Sequence, residues 1–288
     1  MKTIEAAKKY LSHDLEAKAT FDAMDEAVTT RDPDRLHELS KNPSKFVKRR
    51  VANNKNTRHD TLHDIRNHPD VLVKRHVAVN QNTHPDTLHD MRNDPDEVVR
   101  DNVSKNLNTR PDTLHDMRND PDVLVKWNVA KHPNTRHDTL HDLRNDPDKF
   151  VKEYVARNRN THPDTLHDLR NDPNYSVKWN VSENPNTRHD TLHDMRISQY
   201  QGVRYNVARH ANTHPDTLHD MRNDPDDEVR WRVEKRLKAL GYLEESIIKI
   251  RNKWRVVSHS GKNLGTYPSR EAAKKRLREV EYFKHKVS

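Results

Sequence analysis

Apolar residues along most of the chain recur with a fixed period of 26 residues. An Asn-Thr pair marks each copy, and a leucine and two valines follow it at constant spacing. The threonines of these pairs are Thr57, Thr83, Thr109, Thr135, Thr161, Thr187 and Thr213. A degenerate eighth copy precedes them from about Arg31. Such a period predicts a repeat architecture in which each copy buries its apolar face against its neighbours.

Each repeat predicts two short amphipathic helices. In the second full repeat, Leu88 and Met91 stand three residues apart and therefore lie on one face of a first helix, for which Thr83 is the expected N-cap. Val99 and Val103 form the apolar side of a second helix.

The second helix is predicted to start at an Asp-Pro pair, with Asp94 as its N-cap. No extended alternation of apolar and polar residues occurs between 31 and 236. We therefore predict an all-α repeat solenoid of 26-residue two-helix repeats.

The two ends of the chain differ from the repeats. Residues 1–30 predict an N-terminal helical cap, and the solenoid occupies 31–236. We predict a linker helix over 237–252, followed by a basic β-hairpin–helix module over 253–288 whose helix begins at about Arg270. This module makes the C-terminal end a small α+β unit.

The repeat pattern V-x-x-V-A-x-N-x-N-T-x-x-x-x-L-x-x-φ-x-x-D-P-D resembles the variant leucine-rich repeat, and the segment from Val129 to Thr135 matches it closely. The resemblance covers about 31–236 and implies a HEAT-like superhelix of alternating α and 3-10 helices. It implies no particular activity, since unrelated binders share repeat folds. A family member with an iron–sulfur cluster depends on cysteines, which this chain lacks. Arg92 and its equivalents stand where the family usually has a small residue.

The stretch KWRVVSHSGKNLGTYPSREAAKKRLREVEYFK resembles a small hairpin–helix module at the C-termini of various bacteriophage proteins. This second resemblance implies a phage origin and carries no activity of its own.

Composition excludes several functional classes. The chain has no cysteine and only four glycines, which excludes thiol nucleophiles, disulfides and glycine-rich phosphate loops in the repeats. No apolar stretch approaches ~20 residues, and the N-terminal residues lack the apolar core of a secretory signal. We therefore expect a protein of the cytoplasm or of a virion with no membrane partner. Carboxylates and histidines recur in every repeat rather than in one pocket, so we expect neither an enzyme nor a cofactor.

One histidine recurs at the same position of every full repeat. This histidine row comprises His63, His89, His115, His141, His167, His193 and His219. In three repeats a second histidine stands four residues earlier, as in His59/His63, His137/His141 and His189/His193, a spacing that can place two imidazoles on one metal. Because no third ligand is fixed, we favour a polar surface in which each ring bonds an adjacent repeat, with metal binding as the alternative.

A basic residue also recurs, and aromatic residues follow it in several repeats. The basic row comprises Lys48, Lys74, Arg100, Lys126, Lys152, Lys178, Arg204 and Arg230. One interpretation pairs each cation with an aspartate four residues before it, such as Asp122. The other makes the row a contact surface with its aromatics. The candidate partner-binding residues are then Lys126, Trp127, Lys178, Trp179, Arg204, Tyr205, Arg230 and Trp231.

Two further positions are predicted to hold the stack together. The arginine row is expected to pair with an aspartate of a neighbouring repeat, and comprises Arg66, Arg92, Arg118, Arg144, Arg170, Arg196 and Arg222. Residues Asn102, Asn128, Asn180 and Asn206 are expected to bond the backbone of the stack.

Charge is divided unevenly along the chain. Residues 237–288 contain 13 basic and 5 acidic residues, so the entire net charge of +8 lies in this segment. A basic tail predicts weak, salt-dependent binding of nucleic acid. The candidate residues are Lys253, Arg255, Lys262, Lys274, Lys275 and Arg278.

Together these features predict a non-catalytic scaffold that binds a protein partner along the repeats, in its finer form a virion or assembly component of a bacteriophage. The alternative is a nucleic-acid-binding protein that uses the C-terminal module and the basic row with its aromatics.

Overall fold

The computed structural model describes the backbone of residues 2–241, 246–257 and 263–287, and the side chains of 15–241, 249–256 and 263–279. It confirms the predicted all-α solenoid of two-helix repeats followed by a small α+β module. None of the helices in these ranges has the length and hydropathy of a membrane-spanning segment.

Helix α1 spans Lys2–Thr29, and each repeat then contributes two helices. The first helices of the repeats are α2 (Pro33–Ser40), α4 (His59–Ile65), α6 (Pro85–Met91), α8 (Pro111–Met117), α10 (His137–Leu143), α12 (Pro163–Leu169), α14 (His189–Met195) and α16 (Pro215–Asp220). The second helices are α3 (Lys45–Asn53), α5 (Val71–Val79), α7 (Glu97–Lys105), α9 (Val123–Lys131), α11 (Lys149–Arg157), α13 (Tyr175–Glu183), α15 (Gln201–Arg209) and α17 (Asp227–Ala239).

Both helices of a repeat are α-helical, which differs from the implied alternation of α and 3-10 helices. Within the described ranges, a single 3-10 helix occurs, at Met221–Asn223. In α6 the N–H of Leu88 donates to the carbonyl of His84 four residues earlier, which is the α-helical pattern, and the closing bond from Arg92 to His89 is of the 3-10 type.

The helix starts differ from the predicted caps. Thr83 does not cap α6, because its buried hydroxyl donates to the carbonyl of Val77 in the preceding helix at 2.5 Å. The ring of His84 caps α6 instead, by accepting from the N–H of Asp86. Similarly, Asp96 caps α7 by accepting from the N–H of Val99, two residues beyond the predicted Asp94.

The core is a repeated set of one leucine and two valines. The fully buried leucines are Leu36, Leu62, Leu88, Leu114, Leu140, Leu166, Leu192 and Leu218. Burying one such side chain contributes about 1.5–3 kcal/mol, so each repeat depends on neighbours to complete its core.

The chain forms two compact units, Met1–Asn186 and Thr187–Ser288. In the first unit α1 packs against α3, and the second helices from α3 to α13 pack each against the next. In the second unit α15 packs against α17.

The C-terminal module contains a three-stranded antiparallel sheet in the order β1-β2-β3, with β1 at Ser246–Ile250, β2 at Lys253–Val257 and β3 at Asn263–Tyr267. Helix α18 (Arg270–Val287) packs against the sheet, where Val256 and Ala273 are buried.

The linker helix predicted for 237–252 is wrong beyond Ala239. Gly241 adopts a left-handed backbone (φ +77), which ends the helical segment. Residues 246–250 form β1, because their isoleucines favour a strand and β1 pairs with β2 through five residues.

Candidate interaction surface

Two asparagine rows join the backbones of consecutive repeats. The side-chain amide of Asn80 donates to the carbonyls of Ala52 (2.8 Å) and Asn54 (3.0 Å), while its oxygen accepts from the N–H of Asn82 (2.9 Å). The amide of Asn82 donates in turn to the carbonyl of Thr57 (3.1 Å). The same bonds recur at Asn106, Asn108, Asn134, Asn158, Asn160, Asn184 and Asn186. The recurring N-x-N-T signature marks these residues in the sequence.

The asparagines that were expected to bond the backbone do so unevenly. The amide of Asn102 donates to the carbonyl of Arg75 at 3.4 Å, and that of Asn180 donates within its own helix. The prediction is wrong for Asn128, whose amide donates to the side chains of Asp101 and Ser104. For Asn206, the side-chain oxygen accepts from Arg209.

The histidine row bonds the next repeat, as expected. His63 Nδ1 lies 2.9 Å from Thr87 Oγ1, and His141 Nδ1 lies 3.0 Å from Thr165 Oγ1. The same contact occurs at His89, His115 and His193. One nitrogen of each of these rings is therefore engaged in the repeat stack.

The arginine row pairs with an aspartate of the next repeat, which confirms the prediction. Arg92 Nε lies 2.9 Å from Asp116 Oδ2, while its Nη1 donates to the carbonyl of His89. Equivalent ion pairs occur at Arg66, Arg118, Arg144 and Arg196.

The basic row also pairs across repeats rather than with the aspartate four residues before it. Lys126 Nζ lies 2.7 Å from Asp146 Oδ2, and the two side chains are only 17% and 9% exposed. The aspartate expected as its partner, Asp122, caps α9 instead. The equivalent pairs are Lys74–Asp94, Arg100–Asp120, Lys152–Asp172 and Arg204–Asp224. Arg230 pairs with Asp227. These cations are largely neutralised within the stack.

Trp127 occupies a position that arginine holds in other repeats. Arg75 pairs with Asp96 at 2.7 Å, and the indole N–H of Trp127 donates to Asp148 at 2.8 Å. Both aspartates cap the second helix of the next repeat. Trp127 is half-buried and, through its bond to Asp148, joins its own repeat to the next one.

The pKa values of these capping aspartates reflect the contacts. At the equivalent seam, Arg49 and the backbone N–H groups of α5 lower the pKa of Asp70 to about 2. Burial raises the pKa of Asp148, but the hydrogen bonds from Trp127 and the backbone outweigh it, so the net shift is downward.

The other predicted aromatics lie on the outer side of the second helices. Trp179 donates to Glu183 at 3.0 Å. Arg232 lies over the ring of Tyr205. Trp231 is 53% exposed, with Lys235 Nζ 4.8 Å from its ring centre.

Sequence differences among the repeats are concentrated on this outer side and in the loop that follows it. The first helices carry the same D-T-L-H-D segment in all seven full repeats. By contrast, the last residue of the second helix changes freely, through Val79, Lys105, Lys131, Arg157, Glu183 and Arg209. Variable positions that make no contact across a seam are available for other contacts.

Two grooves open on this outer side at equivalent seams. The larger, of about 640 Å³, lies between α9 and α11 and is lined by Lys131, Pro133, Tyr154, Arg157, Asn158, Arg159 and Asn160. The other, of about 520 Å³, is lined by the equivalent residues between α5 and α7, namely Val79, Gln81, Asn102, Lys105, Asn106, Leu107 and Asn108. Arg157 also borders a third groove, whose lining includes Trp179, Tyr175 and the acidic residues Glu153 and Glu183.

The larger groove carries exposed cations that differ from the basic row. Lys131, Arg157 and Arg159 are exposed and, among the side chains that the structure describes, have no acidic partner. In the other groove Lys105 pairs with Asp101 at 2.6 Å. We therefore define the basic groove as Lys131, Tyr154, Arg157 and Arg159.

The structure separates the basic residues predicted in the C-terminal module. Lys253 and Arg255 alternate on β2 with Trp254 and the buried Val256, so they lie on the sheet face opposite Val256. Residues Lys274, Lys275 and Arg278 are exposed on α18, which covers the other sheet face. Lys262 lies outside the described residues.

Within the described ranges, no group of three or more His, Asp or Glu side chains is arranged to hold a metal ion. The pairs at helical spacing, such as His137 and His141, are therefore not brought together with a third ligand.

No family model matches the sequence, and no curated protein matches it significantly. Among solved structures, a leucine-rich repeat variant with a novel repetitive structural motif aligns with a TM-score of 0.55 and 22% identity, over 71% of this chain and 82% of that chain. YibA of E. coli aligns with a TM-score of 0.42 and 14% identity, over 76% and 96% of the two chains. An engineered protein aligns with a TM-score of 0.39 and 12% identity, over 72% of this chain and 77% of that chain. The first likeness shows a shared repeat fold.

Proposed function

We propose that this protein is a non-catalytic interaction scaffold that binds an extended, acidic protein segment on the outer side of its second helices. The observation that carries this proposal is the basic groove. Its cations Lys131, Arg157 and Arg159 are exposed and without an acidic partner in the described part of the chain. The cations of the basic row, by contrast, form ion pairs with aspartates such as Asp146.

The spacing of the groove cations suits an extended peptide. Lys131 and Arg157 end consecutive second helices that pack against each other, and packed helices lie roughly 8–10 Å apart. A peptide in extended conformation advances about 3.3 Å per residue. Two acidic residues three positions apart in a bound segment would therefore meet Lys131 and Arg157.

The composition of the surface also favours a protein partner. Tyr154 lines the basic groove beside Arg157, and Trp179 lies in the groove that Arg157 borders on its other side. Arginine with tyrosine or tryptophan is the composition of interface residues that contribute most to binding.

This proposal revises the roles of the predicted partner-binding residues. Lys126, Arg204 and Arg230 act in our view as stack residues because each pairs within the repeats. Lys178 stays a candidate, as do the aromatic residues Trp127, Trp179, Tyr205 and Trp231.

The test is fluorescence anisotropy with the full chain and a labelled synthetic peptide that carries glutamate at every third position. We expect binding, and a loss of at least about tenfold, or 1.4 kcal/mol, in a Lys131→Glu/Arg157→Glu variant. A Lys18→Glu/Lys238→Glu variant has the same net charge and is the matched control, because both residues are exposed and lie outside the groove. Equal affinity in the two variants, or equal binding of a peptide with lysine in place of glutamate, would refute the proposal.

Binding of nucleic acid by the C-terminal module is the second candidate function. The excess of basic residues in 237–288 supports it, and Lys253 and Arg255 share a sheet face that α18 leaves open. A Lys253→Ala/Arg255→Ala variant should then lose salt-sensitive binding of a DNA duplex. The phage resemblance of this module makes a virion or assembly component the finer form of the scaffold proposal.

A further inference from the structure

Two positions near the starts of the first helices change together across every seam between repeats. A histidine at the first of these positions is followed 25 residues later by another histidine, and a proline by an arginine. The histidine pairs are His59/His84, His137/His162 and His189/His214. The proline–arginine pairs are Pro33/Arg58, Pro85/Arg110, Pro111/Arg136 and Pro163/Arg188. No mixed pair occurs, so the two positions act as one unit.

The two kinds of pair join repeats differently. At the proline–arginine seams within Met1–Asn186 the arginine reaches an aspartate of the preceding repeat, as in Arg136–Asp112 (2.9 Å) and Arg58–Asp34 (2.5 Å). At histidine seams two imidazole rings lie close together, with their planes tilted by 45°, 50° and 55° in the three pairs. Their centres are 5.6 Å apart for His59/His84, 5.9 Å for His137/His162 and 6.2 Å for His189/His214.

These separations suit a metal ion shared by two imidazoles. A zinc–nitrogen bond is about 2.0–2.1 Å, and the ring centre lies roughly 1.1 Å beyond the nitrogen, so two rings on one ion have centres roughly 5–6.3 Å apart, depending on the angle at the metal. All six rings are exposed, so an ion can enter and water can complete its coordination.

A carboxylate stands behind one ring of each pair. His84 Nδ1 lies 3.3 Å from Asp86 Oδ2, His162 Nδ1 lies 3.3 Å from Asp164 Oδ2, and the corresponding distance at His214 is 3.4 Å. A metal-binding imidazole usually donates its other N–H to such a group, which fixes the ring and strengthens the ligand. Nδ1 of each of these three rings also accepts from the backbone N–H of the same aspartate. When an ion binds Nε2, the ring proton moves to Nδ1, and the bond to the carboxylate replaces this capping bond.

We propose that the three histidine pairs are metal sites, each holding one divalent cation of the zinc, nickel or copper class between consecutive repeats. Imidazole ligands suit these ions. The proposal is independent of the basic groove, since it involves the first helices and other residues. At these seams, the bound ion would take over the bridging role that the arginine–aspartate pair has elsewhere.

The experiment is equilibrium dialysis of the full, tag-free chain against zinc chloride at micromolar free zinc, with the bound metal counted by elemental analysis. We expect three zinc ions per chain. A His137→Pro/His162→Arg variant installs the pair found at neighbouring seams and should bind two. A His162→Asn variant retains a cap for α12 and should also bind two. A His141→Gln variant, which alters the histidine row, should still bind three.

Circular dichroism establishes that each variant is folded. Loss of one ion for each histidine pair replaced supports the proposal. Absence of bound zinc in the parent chain, or an unchanged count after all three pairs are replaced, overturns it.

Discussion

His132 Nε2 donates to the backbone carbonyl of Asn106 at 3.1 Å, from a position that asparagine holds in the adjacent repeats. Its Nδ1 accepts from the N–H of Asn134 at 3.1 Å. Both ring nitrogens are therefore engaged in the neutral form, and a second proton would remove the acceptor. Burial lowers the pKa of His132, since the charged ring would lose its hydration.

This arrangement predicts that His132 makes stability depend on pH. Because the folded pKa lies below the unfolded value of about 6.5, the unfolded chain binds the proton first as the pH falls. The contribution of the neutral ring is complete above about pH 6.5 and is lost progressively below it. A His132→Asn variant should show a smaller loss of unfolding free energy between about pH 7.5 and about pH 5.5, measured by urea titration. An unchanged loss would contradict this account.

The asparagine rows predict that alanine substitutions at Asn158 and Asn160 lower the unfolding free energy by different amounts. Asn158 is 9% exposed and donates to the carbonyls of Ala130 and His132, which lose their partner in Asn158→Ala. A buried polar group without a partner costs about 1–3 kcal/mol. Asn160→Ala should cost less, because that residue is exposed and water replaces its bonds. Comparison of the two unfolding free energies checks this, and equal losses would mean that burial does not set the cost.

The repeat period, the helices and the core followed from the sequence because burial imposes a regular apolar spacing. Each short helix can bury only one of its faces. Leu88 and Val99 lie on the apolar faces of their helices, and both are fully buried. The histidine and arginine rows bond the neighbouring repeat as the sequence predicts, but the partners of the basic row and of Thr83 did not follow, since capping and i, i+4 rules consider one helix alone. The basic row and Thr83 bond residues of a neighbouring helix instead.

Two further differences have a similar physical origin. The short apolar run that forms β1 at Ser246–Ile250 is compatible with either a helix or a strand, and its pairing with β2 decides between them. In the interaction surface, Arg157 and Tyr154 carried no periodic signal because the outer positions vary from repeat to repeat. The structure distinguishes Arg157 from the paired cations of the basic row, because it shows which cations have an acidic partner.

The backbone conformation of Gly265 makes the stability of the C-terminal module sensitive to a side chain at this position. Its φ is +150, and an added Cβ would overlap the hydroxyl oxygen of Tyr267 and lie 2.7 Å from ring carbons of the same residue. Gly265→Ala should therefore destabilise the sheet by about 1–3 kcal/mol, seen as faster proteolysis within the module. Gly241→Ala is the matched control, since Gly241 also has a positive φ but an added Cβ there meets no atom within 4 Å. Equal proteolysis of the two variants would mean that backbone conformation alone accounts for the effect.

The basic row and the basic groove are expected to have different roles, the first in stability and the second in peptide binding. Lys126→Met keeps most of the aliphatic side chain but leaves Asp146, which is 9% exposed, without its cation. Because Asp146 still accepts from the N–H of Asp148, we expect a moderate loss of about 1–2 kcal/mol in unfolding free energy. The affinity for the acidic peptide should be unchanged. Arg157→Met should do the opposite, since Arg157 is exposed and has no acidic partner among the described side chains.

Urea unfolding and peptide anisotropy on the same two proteins provide both measurements. A Lys126→Met/Asp146→Asn variant should recover part of the lost stability, because the second substitution removes the carboxylate charge that the first leaves uncompensated. If Lys126→Met instead weakened peptide binding as much as Arg157→Met and left stability intact, the basic row would be a contact surface. The pairing of Lys126 with Asp146 would then be incidental to the function of the repeats.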